Sequence, residues 1–283
     1  MPRSNFLQLK ACLLKKALVF SAFFYVLLFS AGEAAGSKVC PPQHINESAR
    51  VNYVYDGDTL QLEDGRKIRL LGIDTPEIFS KRRSIAKETK RRGERAKSAL
   101  QQLLNSSNQQ IGLSFGAQRF DRYQRTLAHL FLPDGTNLQA QLISQGYAIA
   151  FTTPPNDRMS DCYQQQEAIA IKQKLGIWRL PQYQLKQTSQ LTNNSNGFHR
   201  LRAKVTHIWK SANRLTLLLD GRVEVKIHNR DFANFNAHML NTLENKQVEM
   251  RGWLRLKKSL KNENNKTQYI MTLRHPDAIK VLN

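Results

Sequence analysis

Residues 51–74, VNYVYDGDTLQLEDGRKIRLLGID, determine the fold predicted for the first part of this chain. Three β-rich runs are separated there by the pairs Asp56-Gly57 and Asp64-Gly65. Asp-Gly pairs between such runs are strong signals for tight hairpin turns. The stretch therefore predicts three consecutive strands that pair through short turns. These strands span residues 51–55, 59–62 and 67–73.

Two more strands and three helices are predicted before residue 180. The strands fit residues 111–115 and 126–132. The helices are indicated by apolar spacing, cap residues and glycine breakers, and they fit about 93–104, 137–145 and 160–175. Five strands interleaved with helices predict an α+β, mainly β domain. We expect a five-stranded OB-type barrel with three packed helices.

The C-terminal part of the chain is predicted to be a second domain. Residues 184–197, QLKQTSQLTNNSNG, are polar and predict a linker. Residues 198–283 contain five short runs with period-two character, interrupted by a helical pattern at about 231–243. We expect a second, smaller β-rich OB-like domain there. The almost wholly polar residues 257–266 predict an exposed hairpin tip.

Residues 1–36 are predicted to be a signal peptide. A basic leader precedes the uncharged run 17–30, and small residues follow in AGEAAG. The apolar run is short for a membrane span. We therefore expect an exported protein, periplasmic or secreted. An uncleaved leader that anchors the protein to the membrane is the alternative.

Cysteine usage fits the same compartment. Of the three cysteines, Cys12 lies in the leader, and Cys40 and Cys162 remain after it. Two remaining thiols in an exported chain favour a disulfide. Two unpaired thiols are the alternative that the sequence leaves open.

The charge of the chain indicates anionic partners. The sequence carries 43 Lys+Arg against 22 Asp+Glu, a formal net charge of +21. Nucleic acid is the strongest default partner for such a surface, and a basic surface without a ligand is the alternative. Residues 81–97 are especially basic and include Lys87, Arg91 and Arg92. They are interpreted either as a segment that grips nucleic acid or as a solvated loop.

Five polar residues carry the chemistry predicted from the sequence. Asp58 and Asp74 lie at the ends of adjacent predicted strands, and two carboxylates brought together require a cation such as Ca²⁺ or Mg²⁺. Glu77 follows closely and is suited to take a proton from water. Arg69 and Arg125 offer guanidinium groups that match phosphate oxygens. Together these groups predict cleavage of a phosphodiester bond.

Three segments give the chain a family resemblance. The strings YDGDTL (55–60), IRLLGIDTPE (68–77) and DRYQRTLAHLFLPDGTNLQAQLISQGYA (121–148) resemble the staphylococcal nuclease (thermonuclease) family over about residues 48–180. The resemblance implies that Asp58, Asp74 and the backbone carbonyl of Thr75 ligate calcium. It also implies that Glu77 acts as general base or orients water, and that Arg69 and Arg125 bind the scissile phosphate.

The resemblance implies a Ca²⁺-dependent nuclease that hydrolyses the P–O5′ bond of DNA and RNA and leaves 3′-phosphates. We expect a monomer without a small-molecule cofactor. Tyr123 is expected to hydrogen-bond a terminal phosphate, and the family's base-stacking tyrosine is either replaced by Phe151 or absent. A non-catalytic, basic OB-fold protein that binds nucleic acid is the main alternative. A membrane-associated basic adaptor is a further one.

Three aromatic residues outside this set, Trp178, Trp253 and His129, have either a functional or a structural interpretation. Trp253 is expected either to stack a base or to pack in a core. Trp178 is expected to pack at the edge of the first domain, and His129 on its apolar strand is expected to be structural.

Overall fold

A computed structural model describes residues 38–78, 87–257 and 269–282 of the chain. The predicted signal peptide lies outside the described residues, as does nearly all of the hairpin tip predicted at 257–266. Within the described ranges, no helix has both the length and the apolar sequence needed to cross a bilayer.

Seven strands form the first part of the fold. In chain order they are β1 (Glu47–Val54), β2 (Thr59–Leu62), β3 (Lys67–Leu70), β4 (Ile73–Asp74), β5 (Gln110–Phe120), β6 (Thr126–Phe131) and β7 (Ile149–Ala150). Five of them close a barrel in the order β1-β2-β3-β6-β5, with β3 parallel to β6. The short strands β4 and β7 pair with each other outside it.

Three helices pack on this barrel, as predicted. They are α1 (Lys87–Asn105), α2 (Leu138–Ser144) and α3 (Ser160–Lys172). The side chain of Asn137 caps α2 by accepting a hydrogen bond from the backbone N–H of Ala140 at 2.9 Å. Helix α1 begins six residues before the predicted start at Gly93. The structure confirms the predicted barrel with three helices.

The hydrophobic core of the first barrel follows the sequence pattern. Leu60, Ile68, Leu113 and Leu130 point inward from four strands and are fully buried. Leu100 of α1 closes the core from one side. Alternating residues of a strand point to opposite faces, so the inward set stays apolar.

A buried polar network ties the N-terminal segment to α3. The structure joins Cys40 to Cys162 in a disulfide, so the favoured pairing of the two cysteines is confirmed. Asn137 donates a hydrogen bond to the carbonyl of Cys40 at 3.0 Å, and His129 Nδ1 lies 2.8 Å from the hydroxyl of Tyr163. Burial lowers the pKa of His129 to about 3, so the ring is neutral. His129 is therefore structural, as expected.

The second part of the fold repeats the strand order of the first. Its strands are β8 (Leu185–Gln187), β9 (Gly197–Ser211), β10 (Arg214–Leu219), β11 (Val223–His228), β12 (Gln247–Leu256), β13 (Tyr269–Leu273) and β14 (Ile279–Leu282). Strands β9-β10-β11-β13-β12 pair in sequence, and β12 returns to pair with β9. The pair β11 and β13 is parallel, like β3 and β6. The predicted second OB-like barrel is present.

Two local predictions in this part differ from the structure. The helix predicted at 231–243 is divided into a 3-10 helix, Asn229–Asn234, and the short helix α4, Ala237–Asn241. Phe235 is extended between them, and Asn236 caps α4 through its side chain. The polar residues 184–197 do connect the barrels, but they contain β8, which pairs with β9. Leu191 is buried in the second core, and Arg222 donates hydrogen bonds to the carbonyls of Thr188 and Leu191, so this polar segment is fixed on the second barrel.

The two barrels are joined by a buried ion pair. Arg251 on β12 donates to both carboxylate oxygens of Glu167 on α3, and also to the carbonyl of Ala150 at 2.6 Å. Glu167 in turn accepts from the N–H of Ala150 at 2.7 Å. The ring of Trp253 lies 4.5 Å from Phe151 and 5.3 Å from Phe198, centroid to centroid. Trp253 therefore packs in the junction, and part of its surface also lines a groove between the barrels.

The disulfide should stabilise the fold measurably. We expect Cys40→Ser/Cys162→Ser to lower the free energy of unfolding by about 2–5 kcal/mol, since the bond closes a long loop in the unfolded chain. Chemical denaturation of the oxidised protein and of the double variant measures the difference. Reduced protein with the original cysteines is the control and should match the variant. An unchanged midpoint in the variant would contradict the prediction.

Candidate active site

Asp58 and Asp74 meet at one guanidinium group. Nη2 of Arg69 on β3 lies 3.2 Å from Oδ2 of Asp58 and 3.2 Å from Oδ1 of Asp74. Nη1 of Arg69 donates to the carbonyl of Leu70 at 2.7 Å. Asp56 joins them, because its carboxylate accepts a hydrogen bond from the N–H of Asp58 at 3.0 Å. Two strand ends and one hairpin turn thus bring these carboxylates around Arg69.

Thr75 fixes the orientation of Asp58. Its backbone N–H and its hydroxyl each donate to Oδ2 of Asp58 at 3.0 Å. Gly57 allows the turn to approach this closely, since a Cβ at Gly57 would lie 2.8 Å from Cγ2 of Thr75 and 2.6 Å from Cβ of Ala96 on α1. Any larger residue at position 57 would push the turn away from its neighbours.

The electrostatics of this cluster are dominated by negative charge. Burial, and then the charge of Asp58, raise the pKa of Asp74 to about 7. The same two causes raise the pKa of Asp56 to about 6. Burial opposes the charged form of Arg69, but the attraction of Asp58 and Asp74 outweighs it and raises the pKa of Arg69. One guanidinium is therefore insufficient to neutralise the surrounding carboxylates.

Arg125 is held by a loop built on Asp121. Asp121 accepts hydrogen bonds from the N–H groups of Tyr123 and Arg125 at 2.8 and 2.9 Å, and from Nε of Arg125 at 2.7 Å. Burial alone raises the pKa of Asp121, but these hydrogen bonds and the charge of Arg125 lower it. Nη1 of Arg125 lies 3.4 Å from Oγ1 of Thr59, which donates to Asp58 at 3.1 Å. The loop thereby connects Arg125 to the carboxylate cluster.

Glu77 follows directly on this cluster and is placed by α1. Gly93 of α1 lies so close that a Cβ there would come within 2.4 Å of the carbonyl oxygen of Pro76. The charge of Glu77 acts on both Arg69 and Asp74, since it raises the pKa of each. Glu77 and Asp74 line the same groove. The structure therefore brings Glu77 to the side of the cluster that faces this groove.

A divalent cation fits the donor set by its chemistry. Asp58 and Asp74 offer carboxylate oxygens around one place, and the family resemblance adds the carbonyl of Thr75; Ca²⁺ prefers such oxygen ligands. Burial first, and then the charge of Asp58, raise the pKa of Asp74 at the same place, and a bound cation would oppose both effects. No three His, Cys, Asp or Glu side chains converge as a metal cluster in the described ranges. The side-chain ligands of a cation at this place would be the two carboxylates of Asp58 and Asp74.

The predicted substrate-binding residues are distributed over two places. Tyr123 lies beside Arg125, with the guanidinium carbon 5.6 Å from its ring centroid, and is 64% exposed. Lys87 is exposed at the first turn of α1. Arg91 and Arg92 both bind Glu88, at 2.6 and 2.7 Å. Arg92 also lines a separate hollow formed by α1 and residues 176–179. The geometry joins only Tyr123 to the carboxylate–arginine cluster.

Two residues that the sequence does not single out, Asp56 and Thr59, also belong to the site. Asp56 was treated as a turn residue, yet its raised pKa places it in the acidic cluster. Thr59 was treated as a strand residue, yet it bridges Asp58 and Arg125. The short spacing of Asp56, Asp58 and Thr59 is the sequence signal for this role. Polar side chains so close together at one strand end must lie in one region of the structure.

Comparisons with known proteins identify the family. The family described as Staphylococcal nuclease homologue matches residues 67–180. The chain is 33% identical to the Thermonuclease of Staphylococcus intermedius over 135 residues, which cover 47% of this chain and 76% of that protein. It is 32% identical to Endonuclease YncB of Bacillus subtilis (strain 168) over 149 residues, 50% of this chain and 68% of that protein.

A third relative is much longer than this chain. Endonuclease YhcR of Bacillus subtilis (strain 168) is 33% identical over 135 residues, which cover 45% of this chain and 11% of that protein. All three matches are consistent with the barrel and the site geometry described above. The chain belongs to the staphylococcal nuclease homologue family.

Proposed function

We propose that the protein is a Ca²⁺-dependent nuclease that hydrolyses the phosphodiester bonds of DNA and RNA and acts as a monomer. The observation that carries the proposal is the arrangement of Arg69 and Arg125 around the carboxylates of Asp58 and Asp74, with Glu77 beside them. Family membership and relatives named thermonuclease and endonuclease support nuclease activity. A non-catalytic protein that only binds nucleic acid would not need this acidic cluster, because carboxylates repel the phosphates of the ligand.

In the proposed mechanism the two arginines bind the scissile phosphate. Nε of Arg125 is taken by Asp121, so its outer Nη groups are the donors for phosphate oxygens. Arg69 is held by Asp58 and Asp74 on one edge. Guanidinium groups fixed in this way stabilise the negative charge that grows on the phosphoryl oxygens in the transition state.

Glu77 is proposed as the general base. Its carboxylate takes a proton from a water molecule whose oxygen attacks phosphorus. The P–O5′ bond breaks, the 5′-oxygen acquires a proton, and the products are a 3′-phosphate and a 5′-hydroxyl. A cation held by Asp58, Asp74 and the carbonyl of Thr75 would supply electrostatic stabilisation of the same charge.

Substitution of the proposed catalytic groups should abolish turnover without unfolding the protein. We expect Glu77→Gln to lower kcat by about 10²–10⁴-fold, because the amide cannot accept the proton. We expect Arg125→Ala to lower kcat by about 10²–10³-fold, because a donor to the transition state is lost. Cleavage of DNA and RNA with Ca²⁺, and with EGTA as the metal-free arm, measures both effects.

Glu63→Gln is the matched control for these variants. Glu63 lies on the same barrel, its side chain is 59% exposed, and it pairs with Arg50 at 3.4 Å, away from the site. Its activity should equal that of the unmodified protein. Near-normal activity of Glu77→Gln or Arg125→Ala would refute the assignment of these residues. Full activity in EGTA would refute the calcium requirement.

Calcium binding should depend on pH in a defined direction. The folded-state pKa of Asp74, about 7, lies above its ordinary value of 3.8, so its ionisation destabilises the folded state as pH rises through 7. Ca²⁺ requires the ionised carboxylate. We therefore expect Ca²⁺ to raise Tm more at about pH 8 than at about pH 5. Thermal unfolding with Ca²⁺ and with EGTA measures this difference.

Asp74→Asn provides the comparison for the pH effect. Without Ca²⁺ this variant should be more stable than the unmodified protein at about pH 8, because the asparagine carries no charge to be repelled. Its response to Ca²⁺ should be small at both pH values. An equal Ca²⁺-dependent rise in Tm at both pH values for the unmodified protein would contradict the prediction.

We further propose that the protein works outside the cytoplasm. The bond between Cys40 and Cys162 supports an oxidising compartment, and the leader sequence supports export. Mass spectrometry of the protein from its native cells should find the mature N-terminus at Ala35 or Ser37. An intact Met1 in a membrane fraction would favour the anchored alternative instead.

A further inference from the structure

A long groove runs from the candidate active site onto the second barrel. Its volume is about 1090 Å³. At one end it is lined by Asp74, Glu77 and Arg122 of the first barrel. The rest of its wall is built from the ends of β11 and β13 and from residues 251–257. The groove is thus continuous with the groups proposed to cleave the phosphodiester bond.

Basic residues line the groove beyond the acidic end. The arginine and lysine residues on its wall are Arg122, Arg230, Arg251, Arg255, Lys257 and Arg274. Its acidic lining residue outside the active site is Asp277, which pairs with His275 at 3.3 Å. The groove therefore offers an excess of positive charge to a polyanion that enters the active site.

Three of these basic residues have structural partners. Arg251 binds Glu167 in the barrel junction. Arg274 lies 3.1 Å from the buried carboxylate of Asp231 and also donates to the carbonyl of Pro154. Lys257 lies 2.8 Å from Glu224. These three positive charges therefore have a structural role, because each pairs with a carboxylate of the fold.

The remaining cations are directed to solvent. Arg230 is 73% exposed, and its nearest carboxylate, Asp231, is 3.5 Å away and already held by Arg274. Arg122 and Arg255 are exposed, and neither forms an ion pair with any residue in the described ranges. Ion pairs within the fold thus leave these three charges largely open to solvent, and all three face one groove.

Aromatic side chains lie on the same wall. Phe151 and Trp253 are half-buried and pack edge to face with centroids 4.5 Å apart. A basic groove with aromatic groups in its wall is how OB folds hold single strands. A duplex keeps its bases stacked inside, so a recessed wall would contact few of its atoms. Single-stranded nucleic acid therefore fits the groove better than a duplex does.

We propose that this groove binds the single-stranded part of the substrate on one side of the scissile phosphate, with Arg122, Arg230 and Arg255 at its phosphates. The inference rests on the proposed nuclease function and extends it to the second barrel. The second barrel is then part of the substrate site, and longer substrates gain affinity that short ones lack.

The test compares two double variants that each remove two positive charges. Arg230→Gln/Arg255→Gln changes the groove. Arg202→Gln/Lys204→Gln is the control, because both side chains are exposed on β9 beside a separate hollow outside the groove. Cleavage of a thymidine dinucleotide and of a single-stranded DNA of about 16 nucleotides gives the ratio of kcat/KM for long over short substrate.

We expect the groove variant to lower this ratio by about 10-fold and the control to leave it unchanged. The slope of log KM for the long substrate against log salt should fall by about 1.4, since each lost phosphate contact on a single strand contributes about 0.7. An unchanged ratio in the groove variant, or an equal loss in both variants, would overturn the inference. An equal loss on a duplex would overturn the preference for single strands.

Failure of the nuclease proposal would be visible separately. If the unmodified protein cleaves neither substrate, the proposed function is wrong. The groove is then tested by the fluorescence anisotropy of the labelled long strand in EGTA. A Kd raised about 10-fold in the groove variant alone supports the groove as a binding site, and equal Kd values refute it.

Discussion

The repulsion among three carboxylates is the constraint on which the candidate site depends. Asp56, Asp58 and Asp74 share the surroundings of Arg69, and burial raises the pKa of Asp56 and of Asp74. Hydrogen bonds from Thr75 hold Asp58 in place. The turn that carries Asp56 and Asp58 can pack against Thr75 because Gly57 has no side chain. The fold thus supplies the free energy that keeps like charges adjacent. A cation at the proposed site would relieve this repulsion.

The same strand order is used in the two barrels for different purposes. The first barrel places polar groups at the exits of β2, β3 and β4, and its loop at Asp121 adds Arg125. In the second barrel, Asp231 and Glu249 are instead each paired with an arginine, Arg274 and Arg200. This barrel contributes a wall of exposed cations and the anchoring contact of Arg251 with Glu167. One architecture therefore supports a reactive centre in one copy and a charged surface in the other.

Local signals in the sequence were sufficient to predict the two barrels and the grouping of most residues of the candidate site. Asp-Gly turns, alternating apolar residues and the segment strings predicted the strands, the helices and the grouping of Asp58, Arg69 and Asp74. Contacts between residues far apart in the chain could not be predicted from the local sequence pattern. Nothing in that pattern pairs Arg251 with Glu167 or brings Arg255 to the active-site groove. Asp56 was missed because an Asp-Gly turn already explained it. The helix predicted at 231–243 ignored the capping potential of Asn236, which begins a new helix after an extended residue.

Strand β12 packs on two sides at once, because its successive side chains point to opposite faces of the strand. Val248, Met250 and Leu254 point into the second core, while Arg251 and Trp253 point towards the first barrel. An insertion or deletion of a single residue ahead of Arg251 would exchange these faces and bury the guanidinium among aliphatic side chains. Homologous chains that keep both barrels should consequently vary in this strand by substitution, or by indels of even length. The register of one strand thus limits how the junction between the barrels can evolve.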